Sequence, residues 1–307
     1  MGQEWVTSSL GGYFANATLS KKLREAAQPL CRFRQFAVVK EAFGKGKSAT
    51  VNFDKVSNVA TAGGTLVETN TFSKTSFTVT QGTLTVTEYG NAMAYTGKLD
   101  ALSQWGVKAP VTRALKNDMV KVLDAAVETQ MDACAYRYVG TATGGGVFTS
   151  NSAAATTNTS AMNSFHVRNM VDKLMLLNAP PYDGDSYFCI GTVSAIRGVY
   201  ESLESVWQYT KYPTNGEVGN YYKCRFVRDT YSMDNTLGTG TTGSGITGEA
   251  YVFGEDAVME AIVVPEEIRA EDEDLGRSLT VGWYYLGGFK IIYQSDPDDR
   301  IIKWDSA

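Results

Sequence analysis

The chain has 307 residues, 43% of them hydrophobic and 20% charged, enough to bury a sizeable core in one or two domains and too apolar for a disordered chain. A net charge of −5 excludes a global positive field that would grip nucleic acid or an anionic membrane surface. No run approaches the ~20 apolar residues of a membrane span, the N-terminus MGQEWVTSSLGGYF lacks a signal peptide's basic start and apolar stretch, and Val6 stands where a myristoylation signal wants Ser or Thr, so the chain is expected to stay in the cytoplasm.

Residues 1–44 predict one short helix over Leu19–Gln28, capped by Thr18 and stopped by Pro29. That is too little apolar surface for a domain, so this stretch reads as an arm lying on something else. Gly46-Lys47-Ser48 invites a phosphate-loop reading, but that loop needs glycine at position 41, where Glu41 stands, and a helix after it. Thr50-Val51-Asn52-Phe53-Asp54 alternates like a strand instead, so Gly44–Lys47 is a basic turn opening a hairpin.

From Ser76 to Gly97, Phe77, Val79, Leu84 and Val86 alternate with threonines, the period of half-exposed strands, and Gly82 marks a bulge or turn. Residues 45–97 therefore read as one long two-stranded excursion. A lone hairpin is marginal in water and needs a neighbour.

Residues 110–140 predict one long helix, with Pro110 in its first turn and Gly140 after its end. Val111, Leu115, Met119, Val122 and Ala126 form its apolar stripe, widened by Val120, Leu123 and Val127. About 28 residues give ~40 Å, so something must pack along it. Residues 140–164 read as a Gly/Ser/Thr/Ala-rich surface loop. A helix, a Pro-Pro-Tyr-Asp-Gly turn, a buried strand Tyr187–Val193, a helix and the strand Cys224–Val227 follow. A second loop spans 234–249, AYVFGEDAVMEAIVV returns to strand, Glu271–Asp274 form an acidic turn, and the chain ends in two strands. The fold class is α+β.

Little here suggests a reaction. The one histidine, His166, allows neither a catalytic triad of the usual kind nor a His-rich metal site, and reads as packing. Cys31, Cys134, Cys189 and Cys224 stand far apart and read as buried thiols. Glu271–Asp274 and Asp296-Pro297-Asp298-Asp299 do not match a calcium loop and read as solvated turns. Trp283-Tyr284-Tyr285 reads as a strand with one packed face; the rival reading is a glycan platform made by Trp283 and Tyr285 on a virion decoration or tail protein. The basic residues Lys21, Lys22, Arg24, Arg32 and Arg34 of the arm suit phosphate or the carboxylates of a partner subunit. No enzyme activity and no cofactor are expected.

The order of parts, together with Gly46-Lys47-Ser48-Ala49-Thr50-Val51, Glu88-Tyr89-Gly90-Asn91, Gly216-Glu217-Val218-Gly219 with Arg225-Phe226-Val227, and Gly282-Trp283, resembles the major capsid proteins of tailed phages with the Hong Kong 97-type fold, in particular a podophage subgroup. The subgroup's usual Thr-Asp and Gly-Trp-Lys are Thr96-Gly97 and Gly282-Trp283-Tyr284 here. The resemblance implies an N-terminal arm (1–44), an E-loop hairpin with adjoining peripheral strands (45–97), a peripheral spine helix (98–140), a mixed α/β central domain (141–270) and return strands (271–307). It implies a structural protein of the virion capsid, assembled in the host bacterial cytoplasm as hexamers and pentamers of an icosahedral head. Scaffolding, portal and decoration proteins are its expected partners, with packaged double-stranded DNA touched only weakly and no membrane. Lys47, Lys55, Lys74, Arg32 and Arg34 are the expected inter-subunit residues.

Overall fold

The computed structural model describes residues 28–29, 31–42, 48–56, 64–65, 68, 71–72, 74–103, 106–150, 160–182, 184–207, 217–231, 233, 248–294 and 298–304. The helix expected over Leu19–Gln28 lies outside them but for its last residue, as do Lys47 and most of the loop expected at 234–249.

In chain order, a 3-10 turn at Arg34–Phe36 precedes β1 (Val38–Ala42), β2 (Thr50–Val56), β3 (Val79–Thr85), β4 (Thr87–Thr96), α1 (Gly97–Leu102), α2 (Lys108–Asp132), β5 (Tyr136–Ala142) and β6 (Gly145–Thr149). There follow α3 (Ser164–Leu176), β7 (Tyr187–Gly191), α4 (Val193–Trp207), β8 (Glu217–Tyr221), β9 (Cys224–Arg228), β10 (Ala250–Phe253), β11 (Val258–Glu273), β12 (Ser278–Ile291) and β13 (Ile301–Trp304). Three sheets result among the described residues: β1-β11-β12-β4, β6-β5-β13-β10-β7-β9-β8, and the hairpin β2-β3. Among these residues no helix is long and apolar enough to cross a membrane.

The four-stranded sheet is built on β12, whose Val281, Trp283 and Tyr285 are buried at every second position as the pleat dictates. Against that face lies α2, with Val111, Leu115, Leu123, Val127 and Met131 buried on one stripe and Met119 packed beside them. Each such side chain taken from water stabilises the contact by ~1.5–3 kcal/mol. Val120, read as part of the stripe, points to solvent. The helix starts two residues before Pro110, which sits where backbone N–H groups have no helical partner to lose.

The helix also ends earlier than its composition suggests, at Asp132 rather than near Gly140. Ala133 and Cys134 donate to Gln130 and Met131 in a tightened last turn. The Asp299 carboxylate then accepts from Ala135 N at 3.0 Å and Tyr136 N at 3.3 Å, diverting the backbone into β5. β5 runs parallel to β13 and antiparallel to β6, which occupies part of the segment expected to be a loop.

The seven-stranded sheet carries a second core, where Met170, Leu174, Ile196 and Val199 of α3 and α4 meet Cys189, Phe226, Val252 and Trp304. The entry to α3 is set by Asn163, whose side chain accepts from Phe165 N and His166 N. The arm adds to the main core: Phe33 and Phe36 are buried, with ring contacts to Tyr251, Tyr182, Phe188 and Phe253. Arm residues 31–42, expected to lie on something else, lie on their own chain, where β1 pairs in parallel with β11.

Candidate assembly surfaces

The 45–97 excursion divides in two. β4 pairs along its whole length with β12, from Thr87↔Gly287 to Thr96↔Ser278, and belongs to the subunit's own sheet. The projecting part is β2-β3, paired from Thr50↔Thr85 to Val56↔Val79. Gly82 makes neither bulge nor turn: it pairs regularly with Phe53, whose ring lies where a Cβ would be, 2.4 Å from Phe53 Cζ.

Among the described residues, the buried anchor of the hairpin is at its base. Val51 and Leu84 are buried against Met259, Ala261 and Ile292. Beyond that anchor, Val56, Phe72, Phe77 and Val79 are 66%, 75%, 58% and 52% exposed. Four large apolar side chains on one projecting element form a surface of the kind that partners cover.

The expected inter-subunit cations have different environments. Lys74 is exposed. The Lys55 ammonium lies 5.6 Å from the rings of both Phe53 and Tyr293, and burial lowers its pKa. Arg32 is held through its backbone, whose N–H donates to Asp124 Oδ2 at 3.1 Å and Asp229 Oδ2 at 3.2 Å. Arg34 N donates to Asp124 Oδ1 at 2.9 Å. The Arg34 side chain finds its carboxylates within its own subunit. Nε and Nη2 donate to Glu260 Oε1 at 3.2 and 2.8 Å, and Nη1 and Nη2 donate to the two Glu266 oxygens at 3.0 and 3.1 Å. Tyr285 Oη donates to the same Glu260 oxygen at 2.8 Å, beneath the guanidinium. Burial, then the Glu260 charge, raise the Tyr285 pKa.

Trp283 and Tyr285 are 3% and 0% exposed, so they offer no glycan platform. Trp283 Nε1 donates to Asp118 Oδ2 of α2 at 3.0 Å. Tyr284 is on the opposite face, under the Arg269 guanidinium, with its hydroxyl donating to Glu88. His166 is core packing: it is wholly buried, its Nδ1 is 3.1 Å from Tyr138 Oη, and burial lowers its pKa to about 4. Of the cysteines, Cys134, Cys189 and Cys224 are buried, Cys31 is half-buried, and all four are free.

Two acidic readings need correction. Glu271, Asp272 and Glu273 belong to β11, and the turn itself is Asp274–Gly276, with Asp274 and Leu275 both at positive φ. Asp299 is not solvated: it is fully buried, accepting the N–H groups that redirect the chain after α2. Among the described residues no group of three or more His, Cys, Asp or Glu is placed to hold a metal. The buried pair Asp124 and Asp229 escaped the sequence reading. For Asp124 a signal exists: it falls four residues after Val120 and three before Val127, inside the widened stripe.

No protein-family model matches the chain, and no curated protein matches it by sequence. Solved structures do. The capsid structure of cyanophage P-SCSP1u matches with a TM-score of 0.67 at 11% identity, covering 98% of this chain and 94% of that one. The capsid of Ralstonia phage GP4 matches with 0.67 at 12%, covering 95% and 96%. The capsid of a native GTA particle matches with 0.60 at 12%, covering 99% of each. The chain has the Hong Kong 97-type fold of phage major capsid proteins.

At such low identity this likeness is one of fold, and two of the short motifs make physical sense within it. Glu88-Tyr89-Gly90-Asn91 and Gly282-Trp283 face each other across β4 and β12, with Asn91 opposite Trp283. A Cβ on Gly90 would be 2.9 Å from the Trp283 carbonyl oxygen, so the close pairing of these strands requires glycine there. Trp283 and the Asn91 opposite it both donate to Asp118 of α2.

Proposed function

We propose that this chain is a major capsid protein that assembles as hexamers and pentamers into the icosahedral head of a tailed, double-stranded DNA phage. The observation that carries this reading is the near-complete overlap, in both directions, with chains of phage capsids. The exposed apolar hairpin supports it independently: Val56, Phe72, Phe77 and Val79 gain stability only when another copy covers them. Many such modest contacts add by multivalency into a closed container.

In this reading residues 1–44 are the N-terminal arm, β2-β3 the E-loop, α2 the spine helix and the seven-stranded sheet with α3 and α4 the central domain; β11, which begins within the 141–270 stretch expected for that domain, belongs instead with β12 to the sheet under α2. Lys47, Lys55 and Lys74 then lie on the hairpin segment that meets neighbouring subunits, while Arg32 and Arg34 fix the root of the arm. The role is structural and needs no catalysis. Scaffolding, portal and decoration proteins are partners this reading brings with it, and assembly takes place in the host cytoplasm. The four motifs support membership of the podophage subgroup. A net charge of −5 suits an inner wall that touches packaged DNA weakly.

Negative-stain microscopy of the expressed protein, with and without a co-expressed scaffolding protein, tests the proposal. Closed shells are expected. Compact monomers under every condition would overturn it.

A further inference from the structure

The long helix α2 is held at two places. Along most of its length it packs on β12 and β4, with Asp118 receiving Trp283 Nε1. Its last two turns bury Val127 and Met131 in the same apolar core, but there polar contacts to the seven-stranded sheet are added, and these form an unbalanced group of charges.

Glu128 and Asp132 stand four residues apart on α2, where like charges repel. Glu249, just before β10, faces them, and Tyr251 of β10 donates from its hydroxyl to Glu128 Oε1 at 2.8 Å. Two cations face the group, and both are paired with its other carboxylates, Asp132 and Glu249. Lys303 of β13, 5% exposed, has its ammonium 2.5 Å from Asp132 Oδ1 and 3.1 Å from Glu249 Oε1. Arg137 of β5 has Nη2 3.3 Å from the Asp132 carbonyl oxygen and 3.7 Å from its carboxylate. Asp124, one turn earlier, accepts from the arm backbone, and Asp299 from the backbone at 135 and 136. With everything ionised, three carboxylates oppose two cations, and the surplus charge is that of Glu128.

We propose that the seam between α2 and the seven-stranded sheet is a proton-operated joint, closed when Glu128 carries a proton and loosened when it ionises. A protonated Glu128 leaves the group balanced and keeps its bond to Tyr251. An ionised Glu128 places a third negative charge in a half-buried pocket, and the relief open to it is separation of the last turns of α2 from β10. Burial, then the charges of Glu249 and Asp132, push the Glu128 carboxyl up to about 7, so the joint responds near neutrality. The earlier turns of α2, which lie away from this group of charges, stay in place. This is a property of the single subunit and holds whether or not the chain builds a shell.

The test is hydrogen exchange with mass-spectrometric readout on the full-length, unassembled protein at pH 5.5 and pH 8, corrected for the intrinsic pH dependence of exchange. In the unsubstituted protein, peptides covering 123–134 and 249–253 should lose at least about tenfold in protection at the higher pH, while peptides covering 108–118 keep theirs. Glu128→Gln, which mimics the protonated acid, should abolish the difference. The same loss in Glu128→Gln, or no loss in the unsubstituted protein, overturns the proposal. Tyr251→Phe provides a second arm: losing a donor to the carboxylate should move the midpoint to higher pH, and an unmoved midpoint overturns the proposal equally.

Discussion

Replacing Arg34 by methionine removes a guanidinium that forks between two carboxylates of unequal burial. The Glu260 side chain is 3% exposed and the Glu266 side chain 35%, so the two losses differ in kind. Removing one partner of a buried pair strands the other charge, at about 3–5 kcal/mol, whereas a half-exposed pair is worth about 0–1 kcal/mol. Arg34 is itself 26% exposed, and Tyr285 keeps donating to Glu260, so the lower end applies. Methionine preserves the stem packing over Tyr285. Arg34→Met should therefore destabilise the subunit by about 3 kcal/mol in urea unfolding at low salt. Adding Glu260→Gln should return about 2 kcal/mol of this, because no buried charge is left alone, while adding Glu266→Gln should return almost nothing. A loss under about 1 kcal/mol, or equal recovery from both second substitutions, would refute the reasoning.

The double substitution Phe77→Asn with Val79→Asn should leave subunit unfolding within about 0.5 kcal/mol of the parent, since both side chains already face water, yet should block shell formation in sedimentation assays. Leu84→Ala removes a fully buried side chain at the hairpin's root, and a loss of about 2–4 kcal/mol is expected in the same unfolding assay; a change near zero would mean the anchor is not formed. His166, with its pKa lowered to about 4 from an ordinary 6.5, contributes stability that is present above pH 6.5 and lost as pH falls toward 4, by about 3 kcal/mol. His166→Gln should flatten that acid limb, and parallel pH profiles would disprove the assignment. Glu128, raised to about 7 from 4.5, acts with opposite sign: its stabilisation is present below pH 4.5 and lost as pH rises through 7. The two largely mask each other in the unsubstituted protein between pH 4.5 and 6.5, so each is read as a difference from its own variant.

Much of this fold was legible in local pattern. The alternation of β12 and the buried strand β7 before α4 follow from residues that repeat at the period of their element. The departures share one cause, a distant partner. Ala133-Cys134-Ala135 continues a helical composition, and only the Asp299 carboxylate, brought from more than 160 positions away, turns it into a strand. β3 and β4 follow each other in one strand-like stretch, and only β12 decides that β4 joins the sheet while β3 projects. β6 hides in a glycine-rich segment because the Tyr138 ring fills the space where a Gly146 Cβ would stand. The arm's basic residues suit phosphate or partner carboxylates equally, and nothing local announces that Glu260 and Glu266 lie beside Arg34. The half-exposed alternation of the hairpin was more readable, since apolar side chains on an element too thin to bury them need no partner within the chain to be noticed.

Side-chain footprinting of Phe72, Phe77 and Val79 by hydroxyl radicals, comparing free subunits with the assembled fraction, addresses the hairpin directly. Strong modification in the free subunit and protection on assembly is the result expected of a hairpin covered by a neighbouring copy. Equal modification in both fractions, or the lack of any assembled fraction, would contradict it.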